Sequence, residues 1–212
     1  MIISFKHNYI YFRPKKTGSS TIETVLSADL GPDDIIPGKK GEMRAGRADT
    51  TVEAPSGRLA THTKAEKIKA MVPEEFWQRC YKFASERHPY EKAVSLAFYR
   101  MHKFERWGVE EADREFRRVL DEVVRGNSYS GLKYYSIEGA PVVDDFIRHE
   151  SFEVDLRRVA ARVGVTVSED LPRKKGSIRL DPRPACEILS DEQKETIYHR
   201  CKQEFELLGY EP

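Results

Sequence analysis

Tyr9 to Leu26 reads YIYFRPKKTGSSTIETVL, and the fold is decided by how its parts are understood. The aromatic, apolar run from Tyr9 to Phe12 has the composition of a buried strand, and Ile22, Val25 and Leu26 recur at helical spacing. Between them, KKTGSST mixes lysine, glycine and small hydroxyl residues. The segment predicts strand, tight loop, helix. Such a turn aims successive backbone N–H groups and the positive end of a helix at one point, which favours an anion, above all a phosphate. The residues also allow a plainer reading, a surface turn in which Ser19 or Ser20 caps the helix.

The order of residues excludes the best-known phosphate loop, in which the lysine follows the last glycine. Here Lys16 precedes Gly18, and Ile10 and Lys15 stand where that motif has its glycines. The run from Lys16 to Glu23, KTGSSTIE, instead resembles the 5′-phosphosulfate loop of sulfotransferases that use 3′-phosphoadenosine 5′-phosphosulfate (PAPS). A second block strengthens the resemblance. Arg87 to Arg100 reads RHPYEKAVSLAFYR, with Ser95 eight residues after the arginine, and is similar to the family's 3′-phosphate motif, RNPYDRLVSAY. Arginine suits that task because its planar fork holds a phosphate bidentately, and a serine one or two helical turns on can donate to the same group. Alone, an arginine before a helix is more often a surface ion pair; its order and spacing with the first loop reverse that reading.

Composition fits a folded, locally specialised chain. The 212 residues suit one domain spanning 1–212, and 39% apolar residues suffice for a core despite 33% charged ones. With 36 basic against 35 acidic residues, nothing in the overall balance calls for nucleic acid or an anionic membrane. Any anion site must be local. No run approaches a membrane span, and MIISFKHNY at the start lacks the apolar stretch of a signal peptide, so the expected location is cytoplasmic. Cys80, Cys186 and Cys201 are too few and too scattered for a zinc site or a disulfide framework, and free thiols are expected.

Outward from the loop, Ile2–Phe5 and Tyr9–Phe12 form either a hairpin about His7 and Asn8 or one interrupted strand. Gly31 to Arg58 is rich in glycine, proline and charge and reads as a long irregular excursion. KAEKIKAMVP is a short helix stopped by Pro73, and CYKFASE (Cys80–Glu86) alternates as a strand that leads into the Arg87 helix. Glu110 to Arg125 is an amphipathic packing helix, and GNSYSGLKYYS is a loop whose Tyr129, Tyr134 and Tyr135 either contact an acceptor or pack. Val142–Arg148 is a strand, followed by a helix with Phe152, Leu156, Val159 and Val163 inward. These blocks and the ending SDEQKETIYHRCKQEFELLGY extend the resemblance over nearly the whole chain, closest to the branch with carbohydrate and uronyl 2-O-sulfotransferases.

The resemblance implies a P-loop-like α/β domain with a central, mainly parallel sheet flanked by helices, and PAPS as donor with 3′-phosphoadenosine 5′-phosphate (PAP) as product. It implies that Lys16 stabilises the leaving 5′-phosphate, that Lys15 and Thr17, Gly18, Ser19, Ser20 and Thr21 line the loop, and that Arg87 and Ser95 take the 3′-phosphate. Lys174, Lys175 and Ser177, in RKKGSIR, are candidates for a basic loop closing over the same group, though that turn reads equally as solvated. His62, in THTK, is the favoured general base because the family's counterpart lies between the two phosphate motifs and an ordinary imidazole titrates near neutrality. Glu23 is the rival base. No metal is implied. The acceptor is a small molecule or carbohydrate bearing a hydroxyl. Two other classes stay open, an ATP-dependent small-molecule kinase and a noncatalytic nucleotide-binding module.

Overall fold

The computed structural model describes residues 1–37, 43–45, 61–103, 111–171 and 179–212. In chain order, the strands and helices are β1 (Ile2–Ser4), β2 (Tyr9–Phe12), α1 (Ser19–Leu26), β3 (Ile35–Pro37), β4 (Met43–Ala45), α2 (Ala65–Lys69), α3 (Glu74–Arg79), β5 (Tyr81–Glu86), α4 (Pro89–Lys103), α5 (Ala112–Gly126), α6 (Leu132–Tyr135), β6 (Ser136–Ile137), β7 (Ala140–Pro141), β8 (Asp145–Arg148), α7 (Phe152–Arg162), α8 (Ala185–Ile188) and α9 (Asp191–Leu208). They fall into two compact units, Met1–Glu86 with Gly131–Lys174, and Arg87–Ser130 with Lys175–Pro212.

The first unit is a mixed sheet ordered β4-β3-β1-β2-β5-β8, with helices on its faces. The parallel arrangement expected from the sequence holds for β2, β5 and β8. The other half departs from it, because β1 turns back on β2 as an antiparallel hairpin and β3 and β4 add antiparallel strands beyond it. Asn8, left-handed at φ 54°, makes the hairpin turn possible. The excursion after α1 is thus partly strand. Its three-residue strands are too short to show a period against the surrounding glycine, proline and charge.

Alternation sorts the side chains between the two faces. Ile2, Tyr9, Tyr11, Phe83 and Ile147 pack with Ile22, Val25 and Leu26 of α1 and Leu156, Val159 and Ala160 of α7. Ile3, Ile10, Phe12 and Ala84 pack on the other face with Ala65 and Ile68 of α2 and Phe76 and Trp77 of α3. Between β6 and β7, Glu138 and Gly139 both take positive φ, the two-residue turn that matches strand twist.

Asp34 ties the β1–β2 turn to the residues ahead of β3. Fully buried, it accepts hydrogen bonds from Ser4 Oγ (2.6 Å), the Phe5 amide (2.6 Å), the Lys6 amide (3.0 Å) and the Gly31 amide (2.9 Å). Asp34→Ala strands these donors where no other acceptor serves them, so it lowers unfolding free energy by about 2–4 kcal/mol in a urea titration. Asp34→Asn retains one acceptor oxygen and loses less.

In the second unit, α4, α5, α8 and α9 enclose a core of Tyr90, Val94, Phe98, Phe116, Leu120, Ile197 and Phe205. α9 opens with a reciprocal capping box, Ser190 with Gln193. Lys92 and Glu204 meet at 3.0 Å with essentially no exposure, and Ser130 donates to the other carboxylate oxygen, which satisfies a charge pair that would otherwise be costly to bury. None of the described helices is long and apolar enough to cross a membrane.

Candidate functional site

The strand-loop-helix read from Tyr9 to Leu26 is present, as β2, residues 13–18 and α1. Lys16 (φ 63°) and Gly18 (φ 78°) both lie in the left-handed region. These two reversals turn the chain sharply from the strand's end into the helix. Gly18 is the N-cap residue and no side chain caps α1, so the plainer reading, with Ser19 or Ser20 as cap, does not hold. The Thr21 amide is bound to the Gly18 carbonyl at 3.0 Å; the amides ahead of it have no intrahelical acceptor by the geometry of any helix and leave partial positive charge at the loop.

Glycine at position 18 is required twice. Its φ disfavours a side chain, and a Cβ there would come within 2.7 Å of Phe152 Cε2 at the start of α7. Gly18→Ala therefore destabilises by about 1–3 kcal/mol, from left-handed strain plus displacement of the ring. The double variant with Phe152→Leu recovers only the packing part, which thermal melts of the two proteins separate.

The hydroxyls that the resemblance places along the loop are not all turned toward it. Thr17 is fully buried, and its Oγ1 is bound to the Pro14 carbonyl (3.4 Å) and to Ser85 Oγ (2.7 Å) on β5. Ser20 Oγ accepts from Arg13 Nη2 at 3.3 Å. Lys15 and Lys16 are half-buried, as are Gly18 and Ser20, whereas Ser19 and Thr21 are largely covered. The Thr17 hydroxyl is thus spent within the protein itself.

Arg13 was not singled out in the sequence, yet it joins the two candidate bases. Its guanidinium, only 10% exposed, pairs with Glu23. Its carbonyl accepts a hydrogen bond of 2.8 Å from His62 Nδ1. A carbonyl can only accept, so Nδ1 carries the proton and Nε2 holds the lone pair. Glu23 is thus committed to Arg13, and His62 Nε2 is the nitrogen that keeps a lone pair. The signal for Arg13 was its place directly after an apolar strand, where a charged residue without a local partner points to a buried pair.

The His62 pKa is not near neutrality, as an ordinary imidazole's would be. Burial drives it down to about 4, against a partial upward pull from the Arg13 carbonyl; Arg13, the Met1 amino group and Lys15 lower it further by charge repulsion. His62 is therefore neutral across the physiological range. The ring of Tyr134 stands 6.0 Å away, and Tyr129, Tyr134 and Tyr135 are all buried, which settles them as packing residues.

In the second unit, Arg87 donates to Glu91 at 2.7 Å. Arg179, the last residue of RKKGSIR, pairs with the same carboxylate, whose other oxygen accepts the Ala185 amide at 2.8 Å. Glu91 is held below the usual carboxylate range by these groups, with burial pulling the other way. Both guanidiniums thus share one carboxylate, Glu91. Ser95 lies one turn beyond Glu91 on α4 and is half-buried. Arg179 was missed because nothing in the sequence tells which basic residue of that turn folds inward. Lys174, Lys175 and Ser177 lie outside the described residues. No protein-family model, no curated protein and no solved structure matches this chain.

Proposed function

We propose that this chain is a sulfotransferase that moves the sulfuryl group of PAPS to a hydroxyl of a small-molecule or carbohydrate acceptor. The observation that carries the proposal is the pairing, within the first unit, of the doubly left-handed lysine loop ahead of α1 with a neutral histidine bound to the carbonyl of Arg13. A phosphate loop alone suits many nucleotide enzymes. A lone-pair nitrogen fixed beside it suits chemistry in which a hydroxyl must lose its proton.

In this reading the acceptor oxygen attacks sulfur, the bond from sulfur to the bridging oxygen of the 5′-phosphate breaks, and the acceptor proton passes to His62 Nε2. The electron pair leaves with the 5′-phosphate of PAP. Lys16 and the amides at the start of α1 meet the charge that develops on that oxygen and on the sulfuryl group, and they do so without reorganising. Arg13 and Glu23 hold the His62 acceptor in place. Arg87 and Ser95 are the residues assigned to the 3′-phosphate.

The test is nucleotide preference. PAP at 100 times its dissociation constant adds about 2.7 kcal/mol of apparent stability, and the proposal expects a clearly smaller thermal shift with the same concentration of ATP, which has no 3′-phosphate. Equal shifts would favour a kinase. Labelled PAPS offered to a panel of sugars, phenols and small alcohols then identifies the acceptor.

A further inference from the structure

Beneath the loop runs a chain of hydroxyls that the proposed reaction does not use. Tyr11 OH lies 2.7 Å from Ser85 Oγ, and Ser85 Oγ lies 2.7 Å from Thr17 Oγ1, which reaches the Pro14 carbonyl at 3.4 Å. All three side chains belong to residues with no solvent exposure. Each hydroxyl has one proton, so each link of the chain has one donor and one acceptor. Burial raises the Tyr11 pKa above the ordinary tyrosine range, so its phenol stays protonated. The Tyr11 ring is itself fixed, stacked on Phe83 with centroids 5.3 Å apart.

The link from Thr17 to Pro14 brackets Lys16. Pro14 and Thr17 open and close a four-residue turn, and Lys16 sits inside it in a left-handed conformation that a lysine does not adopt by preference. Ser85 comes from β5, whose register with β2 sets Phe83 beside Tyr11 and Ala84 beside Phe12. The rigid sheet thus holds the loop through one serine. We propose that Ser85 is a positioning residue, which acts through Thr17 to keep residues 14–18 in the phosphate-receiving conformation. Its value to catalysis rests on the sulfotransferase reading, but its hold on the loop does not.

The experiment separates positioning from plain stability. Ser85→Ala breaks the tie and leaves the Tyr11 hydroxyl buried without its Ser85 partner, so it both frees the loop and lowers the melting temperature. Tyr11→Phe combined with Ser85→Ala removes that orphaned hydroxyl and regains much of the melting temperature, while the tie stays broken; it also carries the test if the single variant folds poorly. Amide hydrogen exchange of residues 15–20 in the ligand-free proteins is expected to rise about tenfold in both variants. PAP affinity, by calorimetry, is expected to fall about tenfold in both, because ordering the loop is then charged to binding. Exchange unchanged in Ser85→Ala, or restored to wild type in the double variant, overturns the inference. If PAP binds none of the proteins, wild type included, while the exchange pattern holds, the proposed donor is wrong and the positioning role stands.

Discussion

Lys16→Ala lowers single-turnover transfer from PAPS by about 10²- to 10³-fold while PAP affinity falls far less. The reason lies in when charge appears. On the proposed reading, the loop amides already solvate the 5′-phosphosulfate in the ground state, and the lysine adds modestly to binding. As the bond between sulfur and the bridging oxygen lengthens, negative charge gathers on the leaving phosphate, and an ammonium brought to it by the proposed loop is worth most at that stage. Arg87→Ala serves as the contrast, with weaker PAP binding and a smaller loss of rate at saturating donor. The measurement is a rapid-quench time course with the acceptor found by the labelled-donor screen, beside calorimetric titration of PAP. Should both variants raise only the apparent KM for donor, Lys16 would be a binding residue and the mechanism above would be wrong in that step.

His62→Ala costs about 10²- to 10⁴-fold in turnover with nucleotide affinity nearly unchanged. The pH dependence identifies the group. The active form is neutral imidazole, so kcat/KM rises with pH and levels off above the free protein's His62 pKa of about 4. A bound donor brings phosphate charge next to the ring and offsets the repulsion from Arg13 and Lys15, so the corresponding rise in kcat lies at higher pH. His62→Ala removes both limbs. If instead His62→Ala retains near-normal transfer and Glu23→Gln does not, proton removal belongs to the carboxylate. The same group leaves a mark on stability. Its folded pKa is depressed from 6.5 to about 4, so the unfolded chain takes up the proton first as pH falls. Its contribution to stability is in full effect above pH 6.5, is lost progressively down to pH 4, and is absent from the pH profile of His62→Ala.

Local pattern was enough to read much of this chain. An apolar aromatic run before a glycine-bearing loop, then apolar residues at helical spacing, gave β2, the turn and α1, because each is set by the residues inside it. The same holds for β5 and α4 and for α5 and α7; α9 was reached only through the family resemblance, although its capping box is written in the consecutive residues SDEQ. The candidate residues Lys16, Gly18 and His62 were also found at this level, from the loop's composition and from a family resemblance.

Side-chain direction and long-range pairing were not legible. The β3–β4 hairpin is held by pairing with β1, not by its own period, so a stretch rich in glycine and proline concealed two strands. Thr17 looked like a phosphate donor beside its hydroxyl neighbours, and only Ser85, 68 residues away in sequence, turns it inward. Glu23 looked like a second base until Arg13, ten residues earlier, claimed it. The fall in the His62 pKa comes first from burial, a property of the assembled core that no neighbouring residue encodes. Sequence fixes which groups are available and which elements carry them, because propensity and spacing act within a few residues. Which lone pairs and protons are already spent is decided by contacts across the chain, and those exist only once the sheet has formed.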